Sequence, residues 1–397
     1  MDSFDTALPL GAADPVSGAR RVAEVLQGCA AEIDRNRELP PRALDAMHEA
    51  GMFRLLLPRS VGGAELDPLT YNMAVEEIAA GDASTAWCMN QGSGCSMSAA
   101  YLPDEAARTI FADDPRGVIA WGQAPGQVAR AVTGGWRLTG KWPFASGSRH
   151  ATWLGAHVHL ASEGGTKLTG PEGKPVERTL LFPRSAAVIS DVWHVMGLRG
   201  TGSDTYAVED LFVPEAFTLS RDNPAERREP GTLYRFTSGQ IYASGFAAVA
   251  MGTARAALDA LILLAREKTP QLATTALRDN HAVQAKVAIA SAMLNAARAW
   301  LHQVLRDAIA EAEREGVLSL DTRMAIRLAS TYAIQQARAV VDTAYHEAGA
   351  TAIFDSNPFE RRFRDVNAVT QQVQGRHTHF ETVGQYMLGG SPPLRWV

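Results

Sequence analysis

Residues 134–147 read GGWRLTGKWPFASG, and this stretch decides the fold. Trp136, Leu138, Gly140 and Trp142 alternate with Arg137, Thr139 and Lys141, the two-residue period of a half-buried strand. Gly134-Gly135 supplies a turn back to a strand over 127–132. The strand runs out into Pro143-Phe144-Ala145-Ser146-Gly147, where a break in pairing frees backbone N–H groups and the Ser146 hydroxyl to face a ligand. Alone, the segment fits both a hairpin with aromatic core residues and a strand end that holds a planar aromatic cofactor. The flanking pattern separates the two.

Between 117 and 214 the period stays at two, with candidate strands at 118–123, 127–132, 136–144, 153–160, 178–182, 188–193 and 205–212. Residues 162–176 carry six glycines and prolines and read as an exposed loop. Strands without helices between them predict a small antiparallel sheet or barrel, not a dinucleotide-binding βαβ unit. Gly197-Leu-Arg-Gly-Thr-Gly-Ser203 leads into a strand, the wrong context for a dinucleotide fingerprint.

Both flanks are helical. Val22, Val25, Leu26 and Cys29 form one apolar series; Pro40-Pro41 starts a second helix that Gly51 closes. A loop over 58–68 precedes a helix near 69–80, and Asp82 or Ser84 caps a very apolar helix reaching about residue 101. After 237 come long helices at 239–268, 279–315, 321–348 and 358–388, the last bent near Gly375. Three regions follow: an N-terminal helical domain (1–116), a central β domain (117–235) and a C-terminal helical bundle (236–397).

The formal charge is −5, and the 38 basic residues are dispersed, which excludes a nucleic-acid or anionic-membrane binder. Cys29, Cys88 and Cys95 lack metal-ligand spacing and fit small buried residues in a reducing compartment. Residues 1–15 lack a leader pattern, and the most apolar stretch, 246–265, contains Arg255 and Asp259 and reads as a buried helix. A cytoplasmic protein is expected. His157-x-His159 finds no third ligand, so no metal site is expected. Nucleophile-elbow, phosphate-loop and zinc-protease motifs are missing from the sequence.

The helix–strand–helix order and a series of local motifs resemble the acyl-CoA dehydrogenase superfamily. The motifs are Leu39-Pro-Pro41, Glu49-Ala-Gly-Met52, Leu57-Pro-Arg-Ser-Val-Gly-Gly63, Glu76-Glu-Ile-Ala-Ala-Gly-Asp82, Gly140-Lys-Trp142, Gly197-Leu-Arg-Gly200, Val208 to Pro214, Gly252-Thr-Ala-Arg-Ala256, Ala348-Gly349 and Arg364-Asp365. The resemblance implies an α+β fold with an N-terminal helical domain, a central antiparallel β domain and a C-terminal four-helix bundle, a flavin between them, and a homotetramer. A dehydrogenase of this family needs a carboxylate as general base. One usual position is matched by Val373-Gln374-Gly375, where an amide cannot serve; the other lies on the first helix after the β domain, where nothing acidic occurs between Glu229 and Asp259.

Trp142-Pro-Phe-Ala-Ser-Gly147 is similar to a pattern of one branch, the two-component flavin-dependent monooxygenases, including enzymes like aromatic hydroxylases and dibenzothiophene monooxygenases. These take reduced flavin from a separate NAD(P)H-dependent reductase and use O2 through a flavin C4a-hydroperoxide, which needs a closed apolar site. The resemblance places the ring against Trp121, Gln123, Trp142, Phe144, Ser146 and Gly147, with Gln374 nearby. It makes Ser146 a hydrogen-bond donor at the reactive edge, and puts Asn90 and Gln91 on a helix facing the ring. Trp87, Met89 and Trp193 supply further walls. Of the two histidines after Arg364-Asp365, His377 and His379, residues two apart on a helix face different sides, and His377 is favoured as the inward, catalytic one. Arg278 and Gln284 fall where a neighbouring subunit meets the flavin tail, with FMN or FAD left open.

The expected function is therefore hydroxylation of a small phenolic or indolic compound, with S- or N-oxygenation by the same chemistry as a variant. The alternatives are an acyl-CoA dehydrogenase or oxidase with a relocated base such as Glu381, and a non-catalytic helical scaffold.

Overall fold

The computed structural model describes residues 14–170, 173–221, 223–395 and 397; most of the stretch read for a leader, 1–13, lies outside them. Helices α1 (Pro15–Asn36), α2 (Pro41–Glu49), α3 (Pro68–Gly81), α4 (Ala83–Ser96) and α5 (Asp104–Phe111) come first. Each N-terminus has a local cause. The Asp14, Asp67 and Asp82 carboxylates accept the free N–H groups of α1, α3 and α4, and proline occupies the first turn of α1, α2 and α3. Helix α4 has almost no amphipathic bias because it is enclosed on all sides, and Gln91 is its one residue that is not buried.

Strands β1 (Ile119–Trp121), β2 (Val128–Val132), β3 (Gly135–Ala145), β4 (Trp153–Ala161), β5 (Glu177–Pro183), β6 (Val188–Ser190), β7 (Asp204–Pro214) and β8 (Thr218–Leu219) form one sheet in the order β6-β7-β3-β2-β4-β5-β8, with β1 beside β4. Gly134, at φ 80°, makes the tight turn between β2 and β3. Five of the seven pairings are antiparallel as expected, but β1–β4 and β2–β4 are parallel. The hairpin puts β3 on one edge of β2, so the chain returning after Ala145 lays β4 along the other edge in the direction of β2. Strand β6 is shorter than its sequence pattern, which continues in extended chain beyond Ser190.

Helices α6 (Ser238–Glu267), α7 (His281–Glu315), α8 (Leu320–Ala348), α9 (Pro358–Gln371) and α10 (Thr378–Met387) complete the chain. The expected final helix is broken, not bent: a 3-10 turn at Val373–Gly375 separates α9 from α10. Helix α6 is the one described helix long and apolar enough to cross a membrane, yet it packs against α3, α4, α8 and α9 in the core. Buried acids lock α3 to its neighbours: Glu77 pairs with Arg20 of α1 and Arg255 of α6, and Glu76 with Arg298 and His302 of α7. Such pairs hold because each carboxylate has at least one arginine and a second hydrogen-bond donor to offset its desolvation.

Candidate active site

Strand β3 loses register with β7 between Trp142 and Ala145. Within that break Phe144 sits at φ 59°, a region costly for a bulky residue, and its ring is 66% exposed. The next turn buries Ser146. Its Oγ accepts from Trp87 Nε1 at 3.0 Å and lies 2.7 Å from Ser203 Oγ, which lies 2.7 Å from Thr201 Oγ1. Thr201 Oγ1 is 2.8 Å from the Leu198 carbonyl, which can only accept. Oxygens this close need a proton between them. The Thr201 proton is thus committed to Leu198, the Ser203 proton to Thr201, and the Ser146 proton to Ser203. With its proton on Ser203, Ser146 Oγ keeps a free lone pair, whereas the donor role expected from sequence needs that proton turned outward.

The loop over 196–203 holds this chain, and two sequence-distant motifs fix the loop. Asp365 Oδ1 accepts from Leu198 N at 2.7 Å, and Arg364 Nη1 donates to Met196 O at 2.6 Å. Gly197 is required there, because a Cβ would lie 2.1 Å from the Arg364 carbonyl oxygen. Arg364 is held in turn by Asp34 and Glu360. Burial, reinforced by the Asp82 charge, pushes the Asp365 carboxyl up to about 7.

An aromatic wall continues from Trp87. Its ring stacks on Phe246 at 4.0 Å, and Phe246 stacks on Tyr242 at 5.8 Å. Tyr242 Oη meets Cys95 Sγ at 3.6 Å, and Gln91 Nε2 reaches the same sulfur at 3.5 Å. The Arg221 guanidinium lies 4.6 Å over the Trp121 ring and donates to Gly94 O at 2.6 Å, while His157 meets Trp121 edge-on. Burial pushes the Cys95 thiol up to about 12 and the Tyr242 phenol well above its ordinary range, and lowers His157 to about 3. All three are neutral at neutral pH.

Residues 17–108 match the acyl-CoA dehydrogenase N-terminal domain and residues 244–377 the acyl-CoA dehydrogenase C-terminal domain. The chain is 32% identical to the indole-3-acetate monooxygenase of Pseudomonas putida over 91% of this chain and 90% of that protein. It belongs to the acyl-CoA dehydrogenase family. It is also 30% identical to the oxygenase component of the FADH2-dependent resorcinol hydroxylase of Rhizobium sp. strain MTP-10005, over 94% of this chain and 93% of the other. The crystal structure of the 3-HSA hydroxylase of Rhodococcus sp. RHA1 superposes with a TM-score of 0.87 at 27% identity, covering 97% of this chain and all of that one. Within the acyl-CoA dehydrogenase family the chain stands with the flavin-dependent monooxygenases and is an oxidoreductase.

Against this acyl-CoA dehydrogenase fold the expected site residues divide. Phe144, Ser146, Gly147 and Gln123 gather at the converging ends of β3 and β1, with Gln123 N donating to Pro143 O and Gly147 N to Thr201 O. Gln91 marks the opening of α4. Trp121 is 3% exposed, its ring taken by Arg221 and His157. Trp142 is corrected to a core residue: it is fully enclosed, stacks on Tyr206 and donates to His157 O. Asn90, also fully enclosed, accepts from Tyr71 Oη and packs against Gly245, so it joins α3, α4 and α6, with its Nδ2 buried and unpaired. Gln374 is buried with its amide oxygen bound to Arg327. His377 is exposed against Phe380; the inward histidine is His379, whose Nε2 donates to Val373 O at 2.6 Å. Arg278 and Gln284 meet on the surface, Gln284 Nε2 donating to Arg278 O.

Sequence reasoning missed Thr201, Ser203, Arg221, Tyr242 and Phe246. The first two lie in the Gly197–Ser203 stretch set aside as a dinucleotide fingerprint, where hydroxyls two apart leading into a strand are the available signal. Arg221 follows a short strand that leaves no periodic trace.

Proposed function

We propose that this chain is the oxygenase component of a two-component flavin-dependent monooxygenase that hydroxylates a small phenolic or indolic compound. Reduced FMN or FAD would come by diffusion from a separate NAD(P)H-dependent reductase, and the enzyme would act in the cytoplasm as a homotetramer. The observation that carries the reading is the Ser146 hydroxyl chain beside the strained, exposed Phe144. The names of the relatives, with their indole-3-acetate, resorcinol and FADH2, support it.

The residues fit a flat ring with one polar edge. Phe144 meets Trp193 edge-on, and exposed Val192 and Met196 extend an apolar shelf beside them. Reduced flavin, when bound, supplies two electrons to O2 and leaves one oxygen electrophilic toward an electron-rich ring. Ser146, in the proposal, accepts the N–H that only reduced flavin carries, while the apolar shelf keeps water out. Trp87, Phe246 and Tyr242 line the substrate side. Arg278 and Gln284 reach the cofactor tail of a neighbouring subunit.

The dehydrogenase alternative lacks a base: Glu381 is exposed on α10, and no described carboxylate bonds to Ser146, Trp87, Phe246 or Tyr242. The test is stopped-flow absorbance of the protein mixed anaerobically with reduced FMN or FAD and then with O2. A transient far outlasting free reduced flavin, with hydroxylated product on adding an indole or phenol, is expected. Immediate return to oxidised flavin, together with bleaching of bound flavin by an acyl-CoA, would overturn the proposal.

A further inference from the structure

Arg221 is a cation in neutral surroundings. It is half-buried, lies two residues after the end of β8, and no described carboxylate comes within ion-pairing distance of it. Arg178 on β5, by contrast, is paired with Glu226. Among the described residues Arg221 touches the Gly94 carbonyl and the Trp121 ring, and the Tyr242 hydroxyl, Cys95 thiol and His157 imidazole beside them are not anionic at neutral pH. A guanidinium held this way keeps donors and charge available to a partner that arrives from outside.

Its position says which partner. Ser146 bonds to Trp87, Trp87 stacks on Phe246, Phe246 on Tyr242, and Tyr242 packs against Gly94, whose carbonyl accepts from Arg221. One wall therefore runs from the proposed reaction edge, along the edges of three stacked rings, to a positive end. Gln91 and Tyr242, both partly exposed, stand where that wall opens. Resting on the monooxygenase reading above, we propose that the substrate is an aromatic acid whose ring lies along Trp87, Phe246 and Tyr242 and whose carboxylate pairs with Arg221. Arg221 is then a specificity-determining residue: it sets which ring reaches the reaction edge, and it takes no part in oxygen chemistry.

The experiment compares an acid with its uncharged amide of the same shape. Binding of indole-3-acetate and indole-3-acetamide to the full chain is read by quenching of tryptophan fluorescence, and turnover of both is read with reduced flavin supplied chemically. A charged hydrogen-bonded pair predicts that the wild type binds the acid about ten- to a hundredfold tighter than the amide. In Arg221→Gln that ratio falls to within about twofold. The loss appears as a raised KM for the acid, with kcat changing far less, and Arg221→Lys recovers part of it because the charge returns without the planar fork. Equal binding of acid and amide by the wild type, or an unchanged ratio in a folded Arg221→Gln protein, would overturn the assignment. Absence of any oxygenated product with either compound, despite preferential binding of the acid, would instead count against the monooxygenase reading and leave Arg221 as an acid-binding residue.

Discussion

Replacing Ser203 with alanine tests the direction of the hydroxyl chain. In the folded protein the Ser146 proton points to Ser203, so the lone pair left for a ligand matches reduced flavin, whose N5 carries a hydrogen, and opposes oxidised flavin, whose N5 carries only a lone pair. Ser203→Ala removes the acceptor and frees the Ser146 proton to turn toward the ligand. One neutral hydrogen bond contributes about 0.5–1.5 kcal/mol. The preference for reduced over oxidised flavin is therefore expected to fall by roughly 2- to 13-fold. Buried Ser146 is left without an acceptor in the ligand-free protein, at a cost to stability of about 1–3 kcal/mol. Thr201→Val, which touches neither Ser146 nor the shelf, removes the acceptor of the Ser203 proton and should shift the preference in the same direction, by less. The assay is equilibrium binding of each flavin redox state, anaerobically for the reduced form, beside urea unfolding. Lower stability with an unchanged redox preference in both variants would refute the reasoning, because it would mean that the proton order of the chain never reaches the ligand.

Phe144→Gly should raise stability by about 1 kcal/mol, since glycine tolerates φ 59° and the exposed ring contributes little burial. The same change should divert O2 consumption toward hydrogen peroxide, and an unchanged urea midpoint would show that Phe144 is not strained. Ser146→Ala is expected to increase peroxide release, whereas exposed His377→Ala leaves the ratio of product to flavin oxidised as it was; a loss of coupling in the histidine variant would restore it to the site. Burial that pushes the Asp365 carboxyl up to about 7, against about 4 when unfolded, makes the native state bind the extra proton, so the contribution of Asp365 to stability is full below pH 4 and is lost as pH rises through 7. Asp365→Asn, whose amide oxygen can still accept from Leu198 N, should remove that decline, worth on the order of 4 kcal/mol at most; parallel stability–pH curves for variant and wild type would contradict it.

The fold was legible because its signals are local. Proline and aspartate at helix starts, the Gly134 turn and the two-residue alternation of β3 each act within a few residues, and the helix and strand ends fall close to where those residues put them. What escaped is long-range. Trp142 and Phe144 belong to one motif, yet the register break sends Trp142 into the core and leaves Phe144 outside, and no alternation rule contains that break. His377 is exposed and His379 buried because a 3-10 turn, its Gly375 carbonyl held by Gln335, interrupts the helix that the sequence pattern predicts as continuous. Arg221 carries no motif, and its meaning comes from its place between Gly94 and Trp121 with no described carboxylate beside it.

The same distinction explains why two motifs that read as fold markers bear on the site. Gly197–Ser203 and Arg364-Asp365 are more than 160 residues apart, and their contact fixes the loop whose hydroxyls order Ser146. The ordered chain starts at an indole N–H and ends on a backbone carbonyl, so none of its members titrates near neutrality. A carboxylate or imidazole in Ser146's place would change its proton count with pH and deliver protons to the ligand. A hydroxyl locked in one direction keeps a lone pair there and withholds its proton. Reduced flavin and O2 give hydrogen peroxide when protons are freely available, so a lone pair held in a water-poor site favours oxygen transfer over that leak. On this argument the specificity end at Arg221 and the reactive end at Ser146 follow opposite rules: charge is left uncompensated where a substrate must be chosen, and titratable groups are kept away where oxygen must be held.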